Sequence, residues 1–180
     1  TFYGKHPNQP MLTCWIKGNE TTALREGKTL KEMMKYYTIR VLRLKVESLA
    51  NANIGVPDRA IDDHYFEYHW KVGIKSWNEW KSLEIICANS GAHLFYNPYR
   101  SSVDLKAVVT LRRYDCLKVE ADLIVDSLMK EILKNISVSS NTIQHEYSVF
   151  DDNVGLDEGW LFKIGNNPKD FLFTVPQYFE

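Results

Sequence analysis

The sequence predicts a single α+β domain, an antiparallel β-sheet with two or three packed helices. Segments with helical periodicity alternate irregularly with segments rich in aromatic and β-branched residues, and the βαβ rhythm of parallel sheets is missing. The chain has 180 residues, of which 44% are hydrophobic, so it can bury one core. We therefore expect an irregular lead-in over residues 1–10 and one domain over residues 11–180.

Each element of the N-terminal half follows from a local pattern. Met11–Lys17 comes after a stretch rich in Gly, Pro and Asn and predicts a strand. Thr29 opens a capping box, which predicts a helix beginning at Leu30. Thr38–Glu47 fits either a continuation of that helix or a strand with one bulge, and we favour the helix. Tyr65–Ile74 is rich in aromatic residues and predicts a strand.

The C-terminal half predicts a meander, a helix and further strands. Trp80–Ala88 fits a strand or a helix, whereas His93–Tyr96 and Val103–Arg113 predict strands. Asp115–Ile136 places apolar residues on one helical face and charges on the other, so it predicts an amphipathic helix. Three more strands are predicted at Thr142–Phe150, Trp160–Ile164 and Phe171–Val175.

Composition narrows the class of protein. The net charge of −1 provides no general electrostatic attraction for nucleic acid. Cys14, Cys87 and Cys116 are odd in number and lie in apolar or strand-like runs, which predicts buried free thiols in a reducing compartment. No run approaches the ~18 apolar residues of a membrane span, and no leader pattern opens the chain. We expect a cytoplasmic protein.

One spacing matches a nuclease outline. Pro57-Asp58 followed by Glu79-Trp80-Lys81 has the order of a PD-(D/E)xK site. In such a site Asp58 and Glu79 would hold Mg²⁺, and Lys81 would polarise the attacking water or the phosphate. The alternative is that Asp58 caps or solvates the turn after Pro57. A divalent-metal-dependent nuclease is therefore the second hypothesis for function.

Other catalytic patterns are missing. His64 and His69 fall on opposite faces of a strand, so they cannot easily share one metal, and we predict no metal site. The sequence contains no nucleophile elbow, Gly-rich phosphate loop or dinucleotide-binding turn. We therefore predict no cofactor, no catalytic residues and no small-molecule substrate.

Two groups of side chains are candidates for binding. Basic residues cluster in two regions and could contact phosphate or lipid headgroups: Lys31, Lys35, Arg40, Arg43, Lys45, Arg112 and Arg113. The alternative is that they pair with neighbours such as Glu32, Glu47 and Asp115. Aromatic residues near the end of the chain fit either a core-facing strand or a self-association surface: Phe171, Phe173, Tyr178 and Phe179.

The order of segments in the C-terminal half resembles that of rhabdovirus matrix proteins. The segments are Val103–Leu111, Tyr114-Asp115-x-Leu117, a helix to Glu131-Ile132, Ile143–Phe150 and Gly159–Ile164. This resemblance implies a non-enzymatic virion protein that self-associates and bridges the viral nucleocapsid and the inner leaflet of an anionic membrane, to which it binds peripherally. The late motif of that family, Pro-Pro-x-Tyr, is replaced here by Asn97-Pro98-Tyr99, so the resemblance does not extend to recruitment of budding machinery.

The sequence is therefore compatible with three classes of function. The first is a self-associating, matrix-like structural protein. The second is the nuclease, and the third is a monomeric protein-binding or inhibitor module, since small aromatic-rich domains often serve protein partners.

Overall fold

The computed structural model describes residues 5–6, 9–49, 56–60, 62–96, 105–136 and 143–158. The strands predicted at Trp160–Ile164 and Phe171–Val175 lie outside the described residues. The same is true of the proposed self-association residues Phe171, Phe173, Tyr178 and Phe179 and of the Asn97–Arg100 loop.

A five-stranded antiparallel sheet forms the centre of the fold. Its strands are β1 (Lys45–Leu49), β2 (Tyr65–Ile74), β3 (His93–Tyr96), β4 (Leu105–Tyr114) and β5 (Ile143–Asp151), in the spatial order β1-β5-β2-β4-β3. The helices are α1 (Glu20–Tyr36), α2 (Trp77–Ser90) and α3 (Lys118–Asn135), and a short 3₁₀ helix covers Val154–Asp157. The predicted α+β class is confirmed.

The central strand β2 is buried on both of its faces. It pairs with β4 along ten residues and with β5 along six. Because side chains alternate along a strand, Phe66, Tyr68 and Trp70 point to one face, and Glu67 and His69 point to the other. The first face is apolar and carries the helices. The second face is charged, so the sheet separates a conventional core from a polar layer.

Helices α2 and α3 close the apolar face. The buried residues of α3 recur at helical spacing, as the sequence predicts, and are Ala121, Val125, Leu128 and Ile132. Val125 and Leu128 line one small cavity together with Tyr68 and Trp70 of β2, so α3 packs directly on the sheet. The Tyr68 hydroxyl donates to Asp122 at 2.8 Å, which satisfies a phenol that is otherwise buried.

The predicted start of the first helix is wrong. Helix α1 begins at Glu20, not at Leu30, and Asn19 caps it by accepting a hydrogen bond from the Thr22 amide at 2.9 Å. Thr29 lies inside the helix, where its hydroxyl donates to the Arg25 carbonyl at 3.0 Å. A threonine satisfied in this way can occupy a helix interior, so the capping-box pattern did not mark a boundary.

The favoured helical interpretation of Thr38–Glu47 is also wrong. Helix α1 ends at Tyr36, and Thr38 has a φ of 59°, a left-handed conformation that stops the helix. The strand alternative holds only for the last three residues of this segment, since β1 begins at Lys45 and residues 39–44 form neither helix nor strand. A Cβ at Gly27 would lie 2.8 Å from Leu44 Cδ1, so this glycine lets α1 pack closely on the segment that leads into β1.

Two other local predictions are settled by the fold. Met11–Lys17 forms no strand in the structure. Trp80–Ala88 belongs to α2, which Ser76 caps at its start and which Gly91 ends with a φ of 67°.

Cys87 and Cys116 are buried free thiols as predicted, but Cys14 is exposed. Burial raises the pKa of the Cys87 thiol to about 12, so that residue behaves as a core side chain.

Within the part of the chain that is described, no helix combines the length and the apolar character needed to cross a bilayer.

The packing of α3 gives a stability prediction. Ile132 is fully buried and Leu133 is 41% exposed, although they are neighbours on the same helix. Ile132→Ala should lower the free energy of unfolding by about 2–5 kcal/mol, because it removes buried methyl groups and leaves a cavity. Leu133→Ala should cost about 1 kcal/mol or less. Urea unfolding followed by circular dichroism measures both, and equal costs would contradict the packing described.

Candidate functional site

Six ionisable residues meet on the face of the sheet opposite the helices. We call them the charged cluster: Lys45 and Glu47 of β1, Glu67 and His69 of β2, Arg112 of β4 and Glu146 of β5. The register places Glu67 directly between Arg112 and Glu146 on its two neighbouring strands. Four strands therefore contribute charges to one layer, which is the most unusual chemistry in the described part of the chain.

Glu67 lies at the centre of the charged cluster and is 1% exposed. Arg112 donates to its Oε1 from Nε at 3.1 Å and from Nη2 at 2.8 Å, while the Lys45 ammonium contacts Oε2. Burial alone would raise the pKa of Glu67, but the positive charges of Lys45 and Arg112 outweigh burial and hold it well below its usual range. The carboxylate is therefore ionised and fully paired.

Arg112 connects Glu67 to a second group of ion pairs. Its Nη1 lies 3.0 Å from an oxygen of Asp157, and its guanidinium lies 4.2 Å from the centre of the Tyr65 ring. Arg43 donates to the other oxygen of Asp157 at 2.8 Å and also pairs with Asp151. The short 3₁₀ helix that contains Asp157 is held against the sheet by these two arginines.

The His69 ring is oriented by contacts on both sides. Its Nδ1 lies 3.0 Å from Thr110 Oγ1, and its Nε2 lies 3.3 Å from a Glu146 oxygen and 3.9 Å from a Glu67 oxygen. Burial alone would lower the pKa of His69. The hydrogen bond to Glu146 and the negative charges of Glu67 and Glu146 exceed that effect and raise the pKa above its ordinary value.

Glu47 and Glu146 form a carboxyl pair at the β1 side of the charged cluster. The register places Glu47 opposite Ser148, two residues along β5 from Glu146, and Lys45 contacts Glu47. Burial raises the pKa of Glu47; Lys45 opposes this rise, and the negative charge of Glu146 adds to it. The pKa of Glu146 is lowered, because the hydrogen bond and charge of His69 outweigh burial. The cluster therefore favours the protonated forms of Glu47 and His69 more than water does.

Three members of the charged cluster have the donor types of a divalent-metal site. The nearest donor atoms of Glu67, His69 and Glu146 lie within 4.8 Å of one another. However, both oxygens of Glu67 already contact cationic side chains, one with Arg112 and the other with Lys45. The internal cations therefore occupy the positions from which Glu67 would bind a metal, and the sequence-based expectation of no metal site stays a prediction.

The basic residues predicted to bind partners have different environments in the structure. Arg43, Lys45 and Arg112 are committed to buried or half-buried carboxylates, and Arg113 is half-buried beside Cys116. Lys31 pairs with Asp152 at 2.6 Å and Lys35 with Glu32 at 2.6 Å, whereas Arg40 is exposed. Lys35 therefore pairs with Glu32, and Lys45 with Glu47, as the alternative interpretation of these residues predicts.

The residues of the nuclease outline are not brought together. The Asp58 carbonyl accepts a hydrogen bond from the Lys118 amide, which places Asp58 near the start of β2. Glu79 caps α2 just past the end of β2 by accepting from the Lys75 amide at 2.7 Å, and Lys81 pairs with Glu84. A ten-residue strand spans about 30 Å, so Asp58 and Glu79 lie too far apart to hold one Mg²⁺.

Sequence reasoning missed Glu67 and Glu146 as parts of a site. The available signal was the alternation of side chains along each strand. In β2, Glu67 and His69 alternate with aromatic residues: Phe66, Tyr68 and Trp70. In β4, Arg112 lies two residues from Thr110 and from Tyr114. Such alternation indicates that polar residues share one face. It does not indicate which strands are neighbours, so the pairing of Glu67 with Arg112 needed the tertiary structure.

A second feature is an exposed apolar segment that precedes α1. Residues 10–18, which we call the apolar arm, form neither helix nor strand. Met11 is 86% exposed and Trp15 is 80% exposed, and Leu12 and Ile16 are exposed as well. Further large apolar side chains are exposed at and beyond the end of α1: Met33, Tyr36, Tyr37, Ile39 and Leu42.

Comparisons with known proteins leave the interpretation to the structure. No protein family, no curated protein and no solved structure matches the chain. The resemblance to rhabdovirus matrix proteins stays a prediction.

The pairing of Glu67 predicts a large effect of truncating Arg112. Arg112→Ala should lower the free energy of unfolding by about 3–5 kcal/mol, because it leaves a buried carboxylate oxygen without the two hydrogen bonds that Arg112 donates to it. Lys35→Ala is the matched control, since it breaks an exposed pair with Glu32, and it should cost less than about 1 kcal/mol. Urea titration measures both variants.

A double variant separates charge from packing in this test. Arg112→Met combined with Glu67→Gln removes both buried charges at similar volume and should recover part of the lost stability. If Arg112→Ala and Lys35→Ala cost the same, Glu67 does not depend on Arg112.

Proposed function

We propose that this protein is a non-enzymatic, matrix-like structural protein that self-associates through its apolar arm. The observation that carries the proposal is the exposure of Met11 and Trp15, at 86% and 80%, in a segment without secondary structure. Contiguous exposed apolar side chains on a soluble domain are typical of protein–protein contact sites, since burying them removes apolar surface from water.

The arm is tethered at both of its ends. On one side, the Gln9 side chain donates to the Leu156 carbonyl at 2.7 Å, and Lys5 pairs with Glu158 at 2.6 Å. On the other side, Asn19 begins α1 as its cap. A segment held at both ends loses less conformational entropy when it binds than a free tail would, so a modest apolar contact yields useful affinity.

A second copy of the chain is the occupant that this surface fits. The same molecule exposes Tyr36, Tyr37 and Ile39 at the end of α1, a patch of aromatic and aliphatic side chains with the same chemistry as the arm. Aromatic residues of this kind are enriched at protein interfaces. An arm on one copy against the α1 end of the next forms a head-to-tail contact, and repeated contacts of that type build a ring or a continuous assembly.

We infer contact with membrane and nucleocapsid from the resemblance to matrix proteins, and internal pairing of several basic residues supports a choice among the rest. Arg43, Lys45 and Arg112 have acidic partners inside the fold. Lys35 and Arg40 are exposed beside the apolar end of α1, so they are the better candidates for an anionic surface. In this proposal, self-association places Lys35 and Arg40 of many copies on one surface, where their weak electrostatic contacts add up.

Substitution of the arm tests self-association. Trp15→Ser should raise the dissociation constant for self-association by about 30-fold, the effect of losing about 2 kcal/mol at an aromatic anchor, without changing the melting temperature. Ile85→Ser is the control, because Ile85 is 60% exposed on α2. Light scattering across a concentration series measures both. A wild-type protein that stays monomeric, or an equal effect of both variants, would overturn the proposal.

Charge reversal tests the membrane contact. Lys35→Glu with Arg40→Glu should weaken binding to vesicles that contain phosphatidylserine, by about 1 kcal/mol for each charge removed at low salt. Lys130→Glu with Lys134→Glu makes the same change of charge on α3 and should have a smaller effect. Co-sedimentation at low and physiological salt measures the difference, and equal losses would show that only net charge matters.

A further inference from the structure

We propose that the charged cluster is a pH-sensitive switch in which a proton on His69 holds the edge strand β1 on the sheet. With His69 protonated, its positive charge offsets part of the excess of carboxylates over permanent cations in the cluster. When His69 loses its proton, that excess grows by one charge at the junction of β1, β5 and β2, and β1 is held less firmly.

Carboxylates outnumber permanent cations around His69. The carboxylates are Glu47 on β1, Glu67 on β2 and Glu146 on β5, and the cations are Lys45 and Arg112. Arg112 is also shared with Asp157, so the excess of carboxylates is not neutralised by the permanent cations alone. From β4, Thr110 also faces the ring but is uncharged.

By register, Tyr65, Lys71 and Tyr114 also lie on this face, and Asp157 pairs with Arg112. His93 is a further titratable group there. It belongs to β3, and burial, followed by the positive charge of Arg112, lowers its pKa to about 4. His93 is therefore neutral across the range in which His69 titrates. The proton on which the switch depends is carried by His69, and Glu47 is the carboxyl of the cluster whose pKa is raised.

The geometry directs this proton towards β1. The His69 Nε2 lies 3.3 Å from Glu146, and the register places Glu47 of β1 opposite Ser148, two residues along β5 from Glu146. Lys45, also on β1, reaches across β5 to Glu67. A neutral His69 ring can still donate one hydrogen bond, so what disappears on deprotonation is the positive charge. Glu47 and Glu146 then repel each other more strongly.

Strand β1 is the element best placed to respond. It has five residues, pairs only with β5 among the described strands, and its ladder is irregular between Val46 and Glu47. Elements with few partners open at lower free-energy cost than central strands. Helix α1 packs on β1, so the switch also reaches the base of the apolar arm. That last consequence rests on the proposed function, whereas the response of β1 does not.

The direction of the pH dependence follows from the sign of the shifts. The folded protein raises the pKa values of His69 and Glu47, so it binds these protons more tightly than the unfolded chain does. The contribution of His69 is complete below its unfolded pKa of about 6.5 and is lost as pH rises through the higher folded value. The hold on β1 therefore weakens above about pH 6.5.

Amide hydrogen exchange of β1 tests the switch directly. Between pH 6 and pH 8.5, protection of the β1 amides, corrected for the intrinsic rate and compared with β4, should fall by about tenfold. In His69→Gln, which keeps a donor but carries no charge, protection should be low at every pH. His145→Gln removes an imidazole from the opposite face of β5 and should keep the wild-type profile.

A second variant keeps the test decisive if His69→Gln folds poorly. Glu47→Gln removes one negative charge from the cluster, so β1 should stay protected at pH 8.5 even though His69 is neutral. The titration of His69, followed by NMR of its ring, should have a midpoint above 6.5 in the wild type. A pH-independent β1, a wild-type profile in His69→Gln, or a midpoint at or below 6.5 would each overturn the switch. Because exchange reports on β1 and light scattering on assembly, failure here is distinct from failure of the proposed function.

Discussion

Glu67 is buried in the middle strand of the sheet, and its carboxylate needs cations on both sides. An ionised carboxylate without partners would be too costly at this depth, so Arg112 on β4 and Lys45 on β1 must both reach it. These two contacts with Glu67 link the strands on either side of β2. Arg112 also contacts Asp157, so the same interaction fixes the segment that follows β5. The strand order and the charged layer therefore depend on one buried group.

This requirement changes which residues are available for function. Arg43, Lys45 and Arg112 look like a binding patch in the sequence, yet the fold uses their charges internally. The surface presents an apolar arm, an aromatic patch at the end of α1, and two exposed cations beside that patch. A molecule with this distribution is suited to contacting other surfaces. That is the physical basis for proposing a self-associating structural protein instead of an enzyme.

Much of the fold was predictable from local patterns, and the failures have specific causes. The predicted helix Asp115–Ile136 agrees with α3, and Tyr65–Ile74 agrees with β2, because both carry a strong period with clear breaks. The start of α1 was misplaced because Thr29 can be satisfied either as a cap or inside a helix. The segment at Thr38–Glu47 was misassigned because its pattern fits both periods, whereas in the structure only its last three residues pair with β5 as a strand.

By itself, the sequence determined the α+β class, the apolar face of α3 and the alternation of charged with aromatic residues along β2. These are local properties, set by periodicity within one segment. Only the tertiary structure decided that Glu67, Arg112, Lys45 and Glu146 meet, since they come from four strands that are distant in sequence. The energy of a charge depends on its burial and its neighbours, and neither is encoded locally. For that reason the basic residues could be counted in advance, whereas their internal pairing could not be foreseen.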